Sequence, residues 1–76
     1  MKAILEFNLP EDRTDYQMVN DASKMFHTLW EMKQWLRAQV KYAPDEMSQE
    51  AYDAFKQCRD KLNELLIDNN LDLEEI

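Results

Sequence analysis

The sequence contains no glycine, only one cysteine and only two prolines in 76 residues. Glycine-rich phosphate-binding loops need glycine at fixed positions, so the first absence excludes them. A single cysteine forms no internal disulfide bond and is typical of a reducing compartment. No apolar run approaches the roughly 18 residues of a membrane-spanning helix. We therefore expect a protein without a membrane segment.

Basic residues are also scarce, since 9 lysines and arginines stand against 16 acidic residues, for a net charge of −7. Phosphate binding requires a basic surface, so we expect no direct nucleic-acid ligand. An acidic surface suits a basic protein partner, although solubility alone is an alternative explanation of the charge. The length predicts a single domain over residues 1–76. Such a chain buries only about 60% of its unfolded surface, so association would add useful stability.

The stretch 21–43 is the longest without proline, and it predicts a central helix. Its apolar residues recur at alternating steps of three and four, the period of a helical face: Ala22, Met25, Leu29, Met32, Leu36 and Ala43, with Gln39 in the same series. Asp21 is the predicted N-cap. Phe26, Trp30 and Val40 widen the apolar face to more than half of the circumference. Such a helix is either wrapped by its own fold or offers one face to a partner.

The segment before this helix predicts a strand and a short helix. Residues 2–8 alternate in the strand pattern, and Pro10 suits the first turn of a helix over residues 10–20. Asn8 and Glu11 have the spacing of a capping box. We expect a bend at Asn20-Asp21, with direct continuation into the central helix as the alternative.

The segment after it predicts a second long helix over residues 48–70. Pro44 ends the central helix, Ser48 is the predicted N-cap, and Asn69-Asn70 is the predicted stop. The apolar stripe of this helix is predicted to be Ala51, Phe55, Cys58, Leu62 and Leu65. Residues 71–76 either form a short strand beside residues 3–7 or a frayed acidic tail. The predicted fold is mainly α (α+β), with an N-terminal strand, a short helix, an antiparallel two-helix hairpin and a possible C-terminal strand.

No residue pattern predicts catalysis, a cofactor or a metal site. His27 and Glu31 lie four apart, but a metal site needs further ligands, so a partly buried histidine beside a carboxylate is the ordinary reading. Cys58 is expected in the core, where it would be unreactive. The many paired carboxylates are expected on solvated faces rather than in a cleft.

A binding surface is the remaining candidate. Methionine and aromatic residues favour interfaces, and Trp35 and Tyr42 lie partly off the central stripe, so we expect these two to be exposed. Carboxylates recur along the last helix at several four-residue steps, namely at Glu46, Glu50, Asp53, Asp60, Glu64 and Asp68. Such a row of charges can imitate the phosphates of a nucleic acid in the basic groove of a nuclease, polymerase or repressor.

The opening MKAILEFNLPED, followed by Leu29-Trp30, Leu36-Arg37 and Val40-Lys41-Tyr42, resembles a family of small bacteriophage proteins. The resemblance covers roughly residues 1–42, with a looser match over 50–70. It implies an accessory protein in the cytoplasm of an infected bacterium, and it supplies no catalytic or binding residues.

Two functions are therefore predicted from the sequence. The first is a non-enzymatic phage accessory protein that binds and inhibits or modulates a host protein with a basic surface, either a defence factor or a nucleic-acid enzyme. Its predicted contact residues are Trp35, Tyr42, Glu46, Glu50, Asp53, Asp60 and Glu64. The alternative is a structural module that forms a homodimer through the central helix.

Overall fold

A computed structural model describes residues 1–75 of the chain and the side chains of residues 1–74. Two α-helices form a hairpin, α1 over Arg13–Lys41 and α2 over Gln49–Asp68, and a short 3₁₀ turn follows at Leu73–Glu75. The predicted mainly helical hairpin is confirmed. The predicted β component is wrong, because residues 1–75 include no strand.

The N-terminal segment lies outside the helical body. Residues 1–8 have no regular structure, and residues 1–6 are all exposed, so the alternation in 2–8 does not produce a strand. A strand needs a hydrogen-bonding neighbour, and the segment 71–75 forms a turn instead of supplying one. The segment is held near α1 by an edge-to-face contact between Phe7 and Tyr16, whose ring centroids lie 5.6 Å apart.

Helix α1 is continuous, so the predicted bend at Asn20-Asp21 is wrong. The helix has no glycine or proline to interrupt it, and Asp21 is not an N-cap but accepts a hydrogen bond of 3.0 Å from Gln17 within the helix. The helix begins after a turn at residues 9–12. There the carboxylate of Asp12, rather than that of Glu11, accepts the backbone N–H of Asn8 at 2.9 Å.

Both predicted ends of α2 are confirmed. The Ser48 hydroxyl accepts the backbone N–H of Ala51 at 3.1 Å, as an N-cap does. Asn70 has φ of 55°, the left-handed conformation that asparagine tolerates. The N–H of Leu71 donates to the carbonyl of Leu66 at 2.8 Å, and that of Asn70 to Ile67 at 3.0 Å, which is the Schellman pattern. This ending turns the chain back toward α1.

The core is small and lies at one end of α1. Three described hydrophobic residues are buried, namely Leu36 of α1, Leu66 of α2 and Leu73 of the turn. Trp35 and Phe55 meet edge to face at 5.5 Å between the helices, and the Lys33 ammonium lies 3.2 Å from the Glu74 carboxylate. Leu73 is only 1% exposed, so the C-terminal turn is a core element. The prediction of a strand or a frayed tail at 71–76 is wrong over 71–75, and Ile76 lies outside the described residues.

The predicted stripe of α2 is correct only in part. Ala51, Phe55 and Leu62 are half-buried, but Cys58 and Leu65 are exposed, so the prediction of a core cysteine is wrong. In their place, Arg59 is half-buried and Leu66 is buried. The apolar arc of α2 is wide enough for either of two faces to pack against α1, the one with Cys58 and Leu65 or the one with Leu66. The contact with α1 selects the face that includes Leu66.

Candidate binding surfaces

The outer face of α2 carries a row of carboxylates, here called the acidic stripe. At 100° per residue its members fall within an arc of about 80°, opposite the half-buried Phe55 and Leu62. The members of the stripe are all exposed: Glu50, Asp53, Asp60, Glu64 and Asp68. The stripe extends over 19 residues, and its first and last members lie 18 residue steps, or about 27 Å, apart at 1.5 Å per step. The burial of Leu66 on the opposite side of α2 fixes the rotation that turns these side chains outward.

Neighbouring cations reduce the charge of the stripe. An Arg59 guanidinium nitrogen lies 3.1 Å from an Asp60 carboxylate oxygen, and the Lys61 ammonium lies 3.5 Å from Glu64. Five carboxylates in about 27 Å compare with about 16 phosphate charges over the same length of duplex DNA. The stripe therefore provides an acidic surface but falls well short of the charge density of a nucleic acid.

Two aromatic residues predicted to be exposed lie at the loop end of the hairpin. Trp35 and Tyr42 are both exposed, as expected. Trp35 also contacts Phe55, whereas Tyr42 follows the last residue of α1 and has the Lys41 ammonium 5.5 Å from its ring centroid. Glu46, in the connecting loop, is exposed as well. Whether any of these residues contacts a partner stays a prediction.

A second surface is the apolar side of α1 that its own fold leaves uncovered, here called the open face. It consists of Met18, Ala22, Met25, Leu29 and Met32, all exposed. The three methionines are 57%, 49% and 51% exposed in chain order. The sequence predicted most of this stripe but placed Met18 on a separate short helix. The continuous helix is what adds Met18 to the series.

The reason for the uncovered side is the path of the chain after α2. At Leu36 the second helix covers the stripe, but the C-terminal turn then lies toward Trp30 and Lys33, on the neighbouring side of α1. Half-buried residues of α1 accordingly concentrate between Phe26 and Val40. The N-terminal half of the helix projects past the core, consistent with principal dimensions of 54 × 28 × 19 Å.

The candidate chemical residues lie on the surface. His27 Nε2 lies 3.0 Å from Glu31 Oε1 with both side chains about two-thirds exposed, so the predicted neighbour is confirmed and the predicted partial burial is wrong. The described part of the chain has no group of three or more His, Cys, Asp or Glu that could hold a metal ion. In the same part, no buried residue is polar or charged. No described helix has the length and apolarity needed to cross a membrane.

No protein-family model, curated protein or solved structure matches the chain. The resemblance to small phage proteins therefore stays a prediction.

Proposed function

We propose that this protein is a non-enzymatic phage accessory protein that binds and inhibits or modulates a host protein with a basic surface. The host protein would be a defence factor or a nucleic-acid enzyme in the cytoplasm of the infected cell. The acidic stripe is the observation that supports this proposal most strongly. Its carboxylates share one face of a rigid helix, and no part of the described chain covers them.

Charge complementarity with a basic patch explains such a face better than close imitation of duplex DNA. The stripe carries about a third of the charge that a duplex presents over the same length. Two of its members already lie within 3.5 Å of a cation. A protein patch of a few lysines or arginines needs no higher density than this. Glu46 and Tyr42 at the loop end would extend the contact, with Tyr42 as an apolar anchor.

The test is affinity capture from bacterial lysate with a tagged protein and two variants of equal net charge. The stripe variant neutralises four outer carboxylates of α2: Glu50→Gln, Asp53→Asn, Glu64→Gln and Asp68→Asn. The matched control neutralises four exposed carboxylates elsewhere: Glu6→Gln, Glu11→Gln, Asp15→Asn and Glu31→Gln. Equal net charge separates the position of the carboxylates from the overall acidity.

At about 0.1 M salt, wild type and control are expected to retain one stoichiometric partner, and the stripe variant at least about tenfold less. At about 1 M salt the screening length falls from about 10 Å to 3 Å, so the partner should elute. Elution by DNA would identify the contacted surface as a nucleic-acid groove. Equal retention by the stripe variant, or retention at high salt, would contradict the proposal.

Tyr42→Ala is the cleaner test of the apolar anchor, because Trp35 also packs against Phe55 and its removal would disturb the hairpin. We expect weaker capture by Tyr42→Ala at unchanged helix content, measured by circular dichroism.

A further inference from the structure

We propose that the open face of α1 binds a second copy of this chain, in an antiparallel helix pair. This surface lies on α1, away from the acidic stripe, so the proposal stands apart from host binding.

The spacing of the open face is that of a helix-pairing seam. Its members recur at steps of four, three, four and three residues, and Leu36 follows after four more. A mean period of 3.5 residues keeps one seam facing a partner helix along its length. Single exposed apolar residues are ordinary on a protein surface, but a continuous row over four turns is not.

Helix α1 provides both the protruding side chains and the surface depressions that a helix pair requires. One open depression is bordered by Arg13, Thr14, Gln17, Met18, Asp21 and Met25, and a second by Asp21, Lys24, Met25, Thr28 and Leu29. Four of the five border residues of the second lie seven positions after a border residue of the first, about 10.5 Å along the helix. Met18, Met25 and Met32 repeat at the same interval. Methionines from another copy of α1 therefore match the spacing of the depressions.

The low net charge around the open face favours a second copy of this chain over a strongly charged partner. Residues 13–32 carry three acids, Asp15, Asp21 and Glu31, and two bases, Arg13 and Lys24, for a net charge of −1. The other 56 residues carry the remaining −6 of the total of −7. The open face is thus the nearly neutral part of an acidic chain, and two copies meeting there repel each other least.

The antiparallel direction follows from the positions of Asp21 and Lys24. A parallel pair in register would leave Asp21 of one copy and Lys24 of the other on opposite sides of the pair, and would place both acidic stripes at the same end. An antiparallel pair that seats Met25 of one copy against the small Ala22 of the other brings Asp21 within reach of Lys24 across the axis. It also places the two hairpins, with their acidic stripes, at opposite ends of the dimer.

The expected dimer is weak, because the paired segment is short. Residues 15–32 span only about 27 Å of a single helix. We therefore expect the pair to bury less area than the about 800 Å² per partner of a standard interface. We expect a dissociation constant on the order of 10 µM rather than nanomolar.

The test is sedimentation equilibrium of the full chain from about 1 µM to 1 mM, with circular dichroism to confirm helix content. Met25→Glu should raise the dimer dissociation constant about 100-fold, since two methionines per dimer are replaced by charges. Ile67→Glu is the matched control, because Ile67 is 74% exposed on α2, and it should leave the constant unchanged. A monomeric wild type at 1 mM would overturn the proposal, as would Met25→Glu dimerising like wild type.

The direction is tested separately by charge exchange. Asp21→Lys or Lys24→Asp alone should weaken the dimer roughly 3- to 10-fold, because each leaves like charges facing across the axis. The double variant should return to within about twofold of wild type. A double variant as weak as the single ones would overturn the antiparallel arrangement. Capture of a host partner by Met25→Glu at the wild-type level would show that dimerisation and host binding are separate.

Discussion

Leu73→Ala is the substitution that examines the packing of this fold most sharply. Leu73 is 1% exposed, the most buried of the three core leucines, although it lies in a three-residue turn near the end of the chain. It packs beside Trp30 and beside Leu66 of α2. Its removal takes away the buried side chain that joins the turn to both helices.

The magnitude follows from the atoms removed. Leucine to alanine deletes three carbon atoms, which at about 0.8 kcal/mol each amounts to about 2.4 kcal/mol. The turn can move to fill or open the space, so we add no cavity contribution. For a chain of this size, a loss of about 2.4 kcal/mol lowers Tm by roughly 10–20 °C. That is a large share of the stability of a domain with so few buried residues.

The assay is urea unfolding followed by circular dichroism at low protein concentration, with tryptophan fluorescence as a second probe. Leu71→Ala is the matched control, since Leu71 is two residues away, undergoes the same substitution and is 46% exposed. We expect it to cost less than about 1 kcal/mol. Equal losses for the two variants would refute the account of the turn as a core element.

One further substitution and one chemical reaction each test a single feature of the hairpin. Ser48→Ala should lower the free energy of unfolding by about 1 kcal/mol, because the N–H of Ala51 loses its capping oxygen; urea unfolding measures this, and no loss would contradict the cap. Cys58 should react stoichiometrically with a thiol reagent in the folded protein without denaturant, because it is exposed. Reaction only after unfolding would show that Cys58 is buried in the core.

The parts of the fold that the sequence predicts correctly depend on neighbouring residues. Ser48 caps the helix that begins beside it, Asn70 adopts the left-handed conformation just after the helix ends, and Pro44 lies in the loop between the helices. The exposure of Trp35 and Tyr42 also follows from their place beside the apolar stripe. Each of these inferences requires only helix geometry and the chemistry of one or two residues.

The parts that fail depend on contacts between distant segments. The alternation at residues 2–8 is a fair strand pattern, but no strand is present beside it to complete a sheet. Leu73 is buried because the Schellman ending of α2 directs the chain back to α1, which local periodicity does not reveal. Cys58 is exposed because the contact with α1 selects one of two possible faces of α2.

Of the two candidate surfaces, one follows from the local sequence and the other depends on contacts between distant segments. The acidic stripe was predictable, because charged residues at helical spacing on an amphipathic helix face outward. The open face was predicted as a stripe, with burial by its own fold and exposure to a partner left as alternatives. Its exposure follows from the path of the chain after α2, because the C-terminal turn lies on the side of Trp30 and Lys33.

The central claim is that α1 is packed against the rest of the fold over residues 33–41 and presents an uncovered apolar face over residues 15–32. Amide hydrogen exchange, measured residue by residue at about 5 µM and 500 µM protein, tests it most directly. We predict protection of residues 33–41 at both concentrations, and protection of residues 15–32 that rises several-fold from the lower concentration to the higher one. Equal protection along all of α1 at both concentrations would contradict the claim.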